Sequence, residues 1–267
     1  MHGPIPETDW NAYKPARMAE MVEDAGIAKT RLPFGQLLSL AVLAGAFIAL
    51  GGAFYLAVLT GVEEVTGPVR FAGGVAFSLG LILVIVGGAE LFTGNALMVM
   101  ALVDGRIPPS ALLRNWAIVF LGNAIGAGLV VGLCYSADML QGDFGAVARK
   151  ATEAKFALST NAAVARGILC NALVCLAVWL TFSARTAAGK VLVIILPIAG
   201  FVAMGMEHSI ANLFLLPAGL LAGAEGGTRE VLFNLFPVTV GNIIGGAGGV
   251  AVFYWVAYRS GADRPAA

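Results

Sequence analysis

Four windows of this chain carry no charged residue, and each is long enough to cross a bilayer: between Arg31 and Glu63, Arg114 and Asp138, Arg166 and Arg185, and Glu230 and Arg259. About 18–20 mostly apolar residues span the hydrocarbon layer, and such a segment must be helical because lipid offers no partner for a peptide group. Unbroken spans are therefore expected at about 36–59, 111–136, 162–184 and 232–258. Composition agrees: 59% of residues are hydrophobic and 12% charged, against about 25% charged in a soluble domain. That excludes an ordinary cytosolic enzyme and a disordered chain. A formal net charge of zero gives no electrostatic footprint for nucleic acid. Cys134, Cys170 and Cys175 lie in apolar stretches without metal-ligand spacing, so neither a disulfide framework, a metal site nor a cofactor is expected.

Two further apolar stretches behave differently. Phe71 to Val103 is interrupted only by Glu90, and Val191 to Ala224 only by Glu207 and His208. A continuous helix of either length would run roughly 50 Å, well beyond the ~30 Å hydrocarbon layer. Each stretch carries its ionisable group near the middle with glycines around it (Gly87, Gly88, Gly94; Gly200, Gly205). A half-span, an irregular loop and a second half-span are expected for each, with the loop sheltered by protein or a water-filled cavity. Both breaks spell G-x-E-x-x-x-x-N, at Gly88–Asn95 and Gly205–Asn212, 117 residues apart. A second echo, G-N-x-x-G, recurs at Gly122 and Gly241, 119 residues apart. Two echoes at nearly one offset point to a duplicated three-span unit. An odd number of spans makes the second copy enter from the opposite face, which is the inverted-repeat plan. The expected fold is thus an all-α membrane protein of six spans, two inverted three-helix repeats with broken second and fifth helices.

Lys14, Arg17, Lys29, Arg31, Arg106, Arg114, Arg185, Lys190, Arg259 and Arg264 fall on one side of these spans, against Arg70, Arg149, Lys150, Lys155 and Arg229 on the other. The richer side is cytoplasmic, which places both termini there. No signal-peptide core precedes residue 34, so no cleaved leader is expected. Pro15 opens a helical pattern with Met18, Met21, Val22 and Ala25 on one face, stopping at Gly26. That helix could lie on the membrane surface or pack under the bundle. The chain divides into a cytoplasmic segment (1–34), a six-span domain (35–259) and a cytoplasmic tail (260–267). His2 is expected to be an unordered terminus.

The strings Glu90-Leu-Phe-Thr-Gly-Asn95, Asn171-Ala-Leu-Val-Cys-Leu-Ala-Val-Trp179, Gly205-Met-Glu-His-Ser-Ile-Ala-Asn-Leu-Phe214 and Pro237-Val-Thr-Val-Gly-Asn-Ile-Ile-Gly-Gly246 resemble the formate/nitrite transporter family in that order. The likeness covers residues 15–258 and is strongest to the formate branch. It implies an aquaporin-like homopentamer of the cell inner membrane, each protomer with its own pore for small monovalent anions or their acids: formate first, then nitrite or hydrosulfide. On that likeness His208 is the central pore histidine and Thr93 the loop threonine facing it. Leu81 and Leu91 form the cytoplasmic-side constriction, and Phe77 and Phe201 the periplasmic-side one. Lys155 stands where the family keeps a vestibule lysine, Asn171 and Asn242 are polar positions near the histidine, and Glu207 precedes it.

The chemistry of these residues points the same way. A histidine within a span is expensive and is a functional-site hypothesis by default, and its ordinary pKa permits proton exchange near neutral pH. Half-helices beginning near Thr93 and His208 would aim positive dipole ends at the midplane. An unpaired anion would lose many kcal/mol of hydration at Leu and Phe walls that its neutral acid would not. Lys155 is therefore expected to draw anions inward, and a proton from His208 or its hydrogen-bond network to neutralise them. Glu90 and Glu207 are read as acceptors for backbone N–H groups of the break loops rather than as catalytic carboxylates, with Gly94 part of the first loop. Asn95 and Asn212 are read as caps. A hydrolase is disfavoured, since Ser209 beside His208 cannot easily form a nucleophile–base pair and no G-x-S-x-G occurs. An aquaporin-like neutral-solute channel would need Asn-Pro-Ala triplets and a pore arginine, and neither loop has them. A membrane subunit of a redox complex would need paired haem-ligating histidines.

Overall fold

The computed structural model describes residues 12–261, so His2 and Arg264 lie outside the described part. All regular structure among the described residues is helical. Helix α1 spans Pro15–Thr30, α2 Phe34–Leu59 and α3 Gly67–Gly87. A 3₁₀ turn, Gly94–Met98, runs into the short α4, Val99–Val103. Then follow α5 (Pro109–Ser136), α6 (Gly142–Phe156), α7 (Thr160–Ser183), α8 (Ala187–Ala203) and α9 (Ser209–Leu221). The last run begins as α10 (Thr228–Ile243), passes through a π-helical stretch (Ile244–Val252) and ends as α11 (Phe253–Tyr258). Five helical runs are long and apolar enough to cross a membrane: α2, α3, α5, α7 and Thr228–Tyr258. The unbroken spans of the sequence reading fall on four of them.

Helix starts follow local chemistry. Proline occupies the first turn of α1, α3 and α5, where its missing N–H removes no bond. Ser159 and Thr186 accept the N–H groups of Ala162 and Gly189 at the starts of α7 and α8. The first interrupted stretch differs from the expected halves. Helix α3 alone has 21 residues, about 31 Å at 1.5 Å per residue, so it is a whole span rather than half of one. It ends because Gly88 takes a left-handed conformation (φ 79°). An irregular link, residues 88–93, then leads into the 3₁₀ turn. Gly205 (φ 68°) performs the same reversal between α8 and α9, in the link 204–208.

Close packing rests on glycine. A Cβ on Gly126 of α5 would strike the Val42 carbonyl of α2, and one on Gly245 would strike the Ile168 carbonyl of α7. Helix α5 therefore approaches α2, and the run of α10 and its π-helical continuation approaches α7, backbone to backbone, as small-residue interfaces allow in lipid. Helix α1 packs under the bundle, against the 3₁₀ turn, α4 and α7. It does not stop at Gly26; that residue faces Met98 and Ala101, where a Cβ would lie 3.4 Å from Ala101 Cβ, and the helix runs on to Thr30. Glu23 of α1 is fully buried beneath Arg259 (3.0 Å) and Arg106 (3.1 Å). Burial pushes its carboxyl above the usual range, and the Arg259 hydrogen bond pulls against that shift.

Candidate functional site

Two buried polar clusters hold the links and share most of their hydrogen bonds; only the first has Lys29 Nζ on Asn95 Oδ1 (2.9 Å), and only the second has Asn234 Nδ2 on the Lys155 carbonyl (3.2 Å). At the first link, Glu90 accepts Lys29 Nζ (2.6 Å) on Oε1 and Asn95 Nδ2 (2.8 Å) on Oε2. Asn95 Nδ2 also reaches Asn115 Oδ1 (2.8 Å). Asn123 Nδ2 donates to the carbonyls of Ala41 and Glu90, while its Oδ1 accepts the N–H of Phe92. At the second link, Glu207 accepts Lys155 Nζ (2.8 Å) and Asn212 Nδ2 (2.7 Å), and Asn212 reaches Asn234 (2.8 Å). Asn242 donates to the carbonyls of Gly167 and Glu207 and accepts the N–H of Ser209. The backbone N–H of Glu90 meets Leu40 O, and that of Glu207 meets Arg166 O. Non-helical backbone at membrane depth is tolerable only with such satisfaction.

These contacts revise the readings of Glu90, Glu207, Asn95 and Asn212. The carboxylates of Glu90 and Glu207 accept lysine and asparagine side chains, not loop N–H groups. Asn95 and Asn212 fasten those carboxylates instead of capping helices. Lys155, the residue expected to draw anions inward, sits in the last turn of α6, its side chain 15% exposed and paired with Glu207. Asn171 and Asn242 lie beside the histidine, but their amide donors are committed to backbone carbonyls, those of Thr93 and Asn242 in the case of Asn171. Sequence reasoning missed Lys29, Asn115, Asn123 and Asn234. The 119-residue offset of the Gly122 and Gly241 echoes could have found Asn115 and Asn234, which stand at that same spacing.

His208 closes the second link and caps α9: its Nδ1 accepts the N–H of Ala211 (3.0 Å). Its Nε2 lies 2.9 Å from Thr93 Oγ1 of the first link, and both residues are buried. A ring nitrogen that accepts carries no proton, so the neutral imidazole bears its hydrogen on Nε2 and donates to the Thr93 oxygen. Both nitrogens are then committed, which leaves no lone pair on the ring for a passing proton. The sequence reading expects the proton from His208 or from its hydrogen-bond network; here the ring's own N–H is engaged with Thr93.

The ring borders a small cavity whose remaining walls are apolar: Ile48, Phe77, Leu81, Leu91, Val174, Ile198 and Phe201. The four residues assigned to constrictions on resemblance all stand here. Phe77 meets Phe201 edge to face (5.7 Å between centroids), and Phe201 stacks on the imidazole (5.9 Å). Leu81 and Leu91 also border a second, larger cavity, lined by Val22, Lys29, Asn95 and Phe182 among others. They therefore form the partition between the two spaces. Gly94 opens the 3₁₀ turn beside Val178 of α7.

A helical bundle with several membrane-length runs, two clamped links and a histidine facing an apolar cavity defines a multi-pass membrane protein of channel type. The chain belongs to the formate/nitrite transporter family, whose profile matches residues 16–256; this is a family of transporters, not of enzymes. It is 40% identical over 268 residues to the formate channel FocA of Escherichia coli K12, covering 91% of this chain and 94% of that one. A solved structure described as a pentameric formate channel with formate bound superposes with a TM-score of 0.78 at 38% identity, covering 84% of this chain and 97% of that one. A second, described as an FNT family ion channel, gives 0.84 at 26% identity, with 90% and 98% covered.

Proposed function

We propose that the chain forms a homopentameric channel of the inner membrane for small monovalent anions and their conjugate acids, formate before nitrite or hydrosulfide. Residues 35–259 make the six-span pore domain as two inverted repeats with interrupted second and fifth crossings, and both termini are cytoplasmic, at the ends of the 1–34 and 260–267 segments. His208 is the central pore residue, Leu81 with Leu91 the cytoplasmic constriction, and Phe77 with Phe201 the periplasmic one. One observation carries the reading: the buried His208, bonded to Thr93 of the other link, borders a cavity whose apolar wall includes those four side chains.

The physical logic is a filter against bare charge. An ion entering an apolar constriction without partners forfeits most of its hydration, and the neutral acid does not. The N-terminal turn of α9 is a favourable place for negative charge, and the Thr93 hydroxyl, whose oxygen accepts the His208 N–H, keeps its own hydrogen to donate. Anions gather outside the walls, take up a proton there and cross as acids. Proton movement thereby accompanies the solute, and lipid covers the outer apolar faces.

The test is flux of formate, nitrite and hydrosulfide through reconstituted vesicles across a pH series, with urea and glycerol as neutral controls. Formate flux that rises toward acidic pH, with urea and glycerol excluded, is expected. Equal passage of urea, or no passage of any of the three anions, refutes the reading.

A further inference from the structure

The residues whose carbonyls anchor the two link glutamates carry different side chains. Leu40 and Arg166 do the same backbone work, each carbonyl receiving the N–H of the link glutamate. The architecture therefore needs no particular side chain there, yet the second link carries a guanidinium where the first carries an apolar group. Arg166 lies in the second turn of α7, is exposed, and donates from Nη1 to the carbonyl of Gly205 (3.2 Å). That bond holds it over residues 204–208, three positions from the cavity-lining His208. Lys29 and Glu90 cancel at the first link, and Lys155 and Glu207 cancel at the second. Among the described residues Arg166 is paired with no carboxylate, so the second link keeps one uncompensated positive charge that the first does not.

We propose that Arg166 recruits anions to the mouth beside the second link and makes entry from that side faster than entry from the first. This rests on the anion-channel reading. A fixed guanidinium at the rim of a low-dielectric funnel raises the local anion concentration, an effect that added salt removes. Its preorganisation by the Gly205 carbonyl leaves the remaining N–H donors free for a carboxylate-sized anion.

The experiment compares the full-length protein with Arg166→Leu, which copies the first link, and Arg166→Lys, in right-side-out and inverted vesicles supplied with sodium formate. Arg166→Leu is expected to lower formate entry about threefold at low ionic strength, only from the side of the second link. Arg166→Lys should keep most of the wild-type rate, and the deficit should vanish at high salt. A deficit that is equal at low and high salt, or equal from both sides, marks a structural role and overturns the proposal, as does no deficit at low salt. Wild-type vesicles that pass no anion from either side overturn the channel reading as well; wild-type flux with an Arg166→Leu rate unchanged by salt overturns the recruitment alone.

Discussion

Thr93 Oγ1 and His208 Nε2 sit 2.9 Å apart across a sequence separation of 115 residues. That single bond joins the two links, and the cap at Ala211 N–H dictates its direction. In the chain with His2 replaced by alanine, ¹⁵N NMR of labelled histidine should show the neutral Nε2–H form at neutral pH. Thr93→Val strands a buried donor and should destabilise the protein by about 1–3 kcal/mol, whereas Thr93→Ser should be nearly neutral. Thermal unfolding in detergent reads the difference, and an Nδ1–H signal would contradict the assigned direction.

Each link glutamate depends on a lysine from a helix outside the spans. Lys29→Met leaves Glu90 buried with one charge partner gone, a change that typically costs about 3–5 kcal/mol. Adding Glu90→Gln should restore much of the lost melting temperature, because the residual amide can still bond Asn95. Lys155→Met and Glu207→Gln should behave as the equivalent pair. Equal melting of the single and double variants would show that the ion pair is not what holds the link.

Gly126→Ala and Gly245→Ala each drive a methyl group into the backbone of a neighbouring helix, which cannot yield as a flexible side chain would. A loss of about 1–3 kcal/mol or more is expected. Gly128→Ala and Gly248→Ala, which meet nothing within 4 Å, should leave the melting temperature almost unchanged. The four variants in one thermal series make the comparison.

Docking of α1 should depend on pH through Glu23, which faces Arg259 and Arg106 with Asp104 nearby. Its folded pKa is raised, so the contribution of the neutral carboxyl is complete below the ordinary carboxylate pKa and lost as pH rises through the folded value. Hydrogen exchange across Pro15–Thr30 should therefore slow as pH falls through that window, after correction for intrinsic rates. Glu23→Gln should flatten the trend.

The spans were legible because lipid imposes a simple demand, and four charge-free windows met it. The links were legible as interruptions because glycine, glutamate and asparagine recur in register. What could not be read was the company those glutamates keep. Lys29 and Lys155 lie 126 residues apart, off the 117 and 119 spacing of the motifs, because the stretch joining surface helix to link differs in length between the halves. Each looks in sequence like a solvated helix-end charge, and only folding turns it inward. The cavity walls Ile48, Val174 and Ile198 carry no signal at all, since an isoleucine facing a pore is spelled like one facing lipid. Helix α3 was underestimated for a related reason: hydropathy marks where a stretch enters hydrocarbon but not where the chain turns back.

Lys29 reaches its glutamate from α1, and Lys155 from α6, neither of which is among the membrane-length runs. During synthesis the first carboxylate can find its counter-ion at once, because α1 precedes it, but Asn115, which completes that cluster through Asn95, has yet to emerge. The order of emergence from the ribosome is the same for the second cluster, with Asn234 and then Asn242 arriving after the glutamate. Insertion of the crossings and completion of their polar centres are thus separate events, and each half of the molecule has a natural waiting point before its final helix arrives.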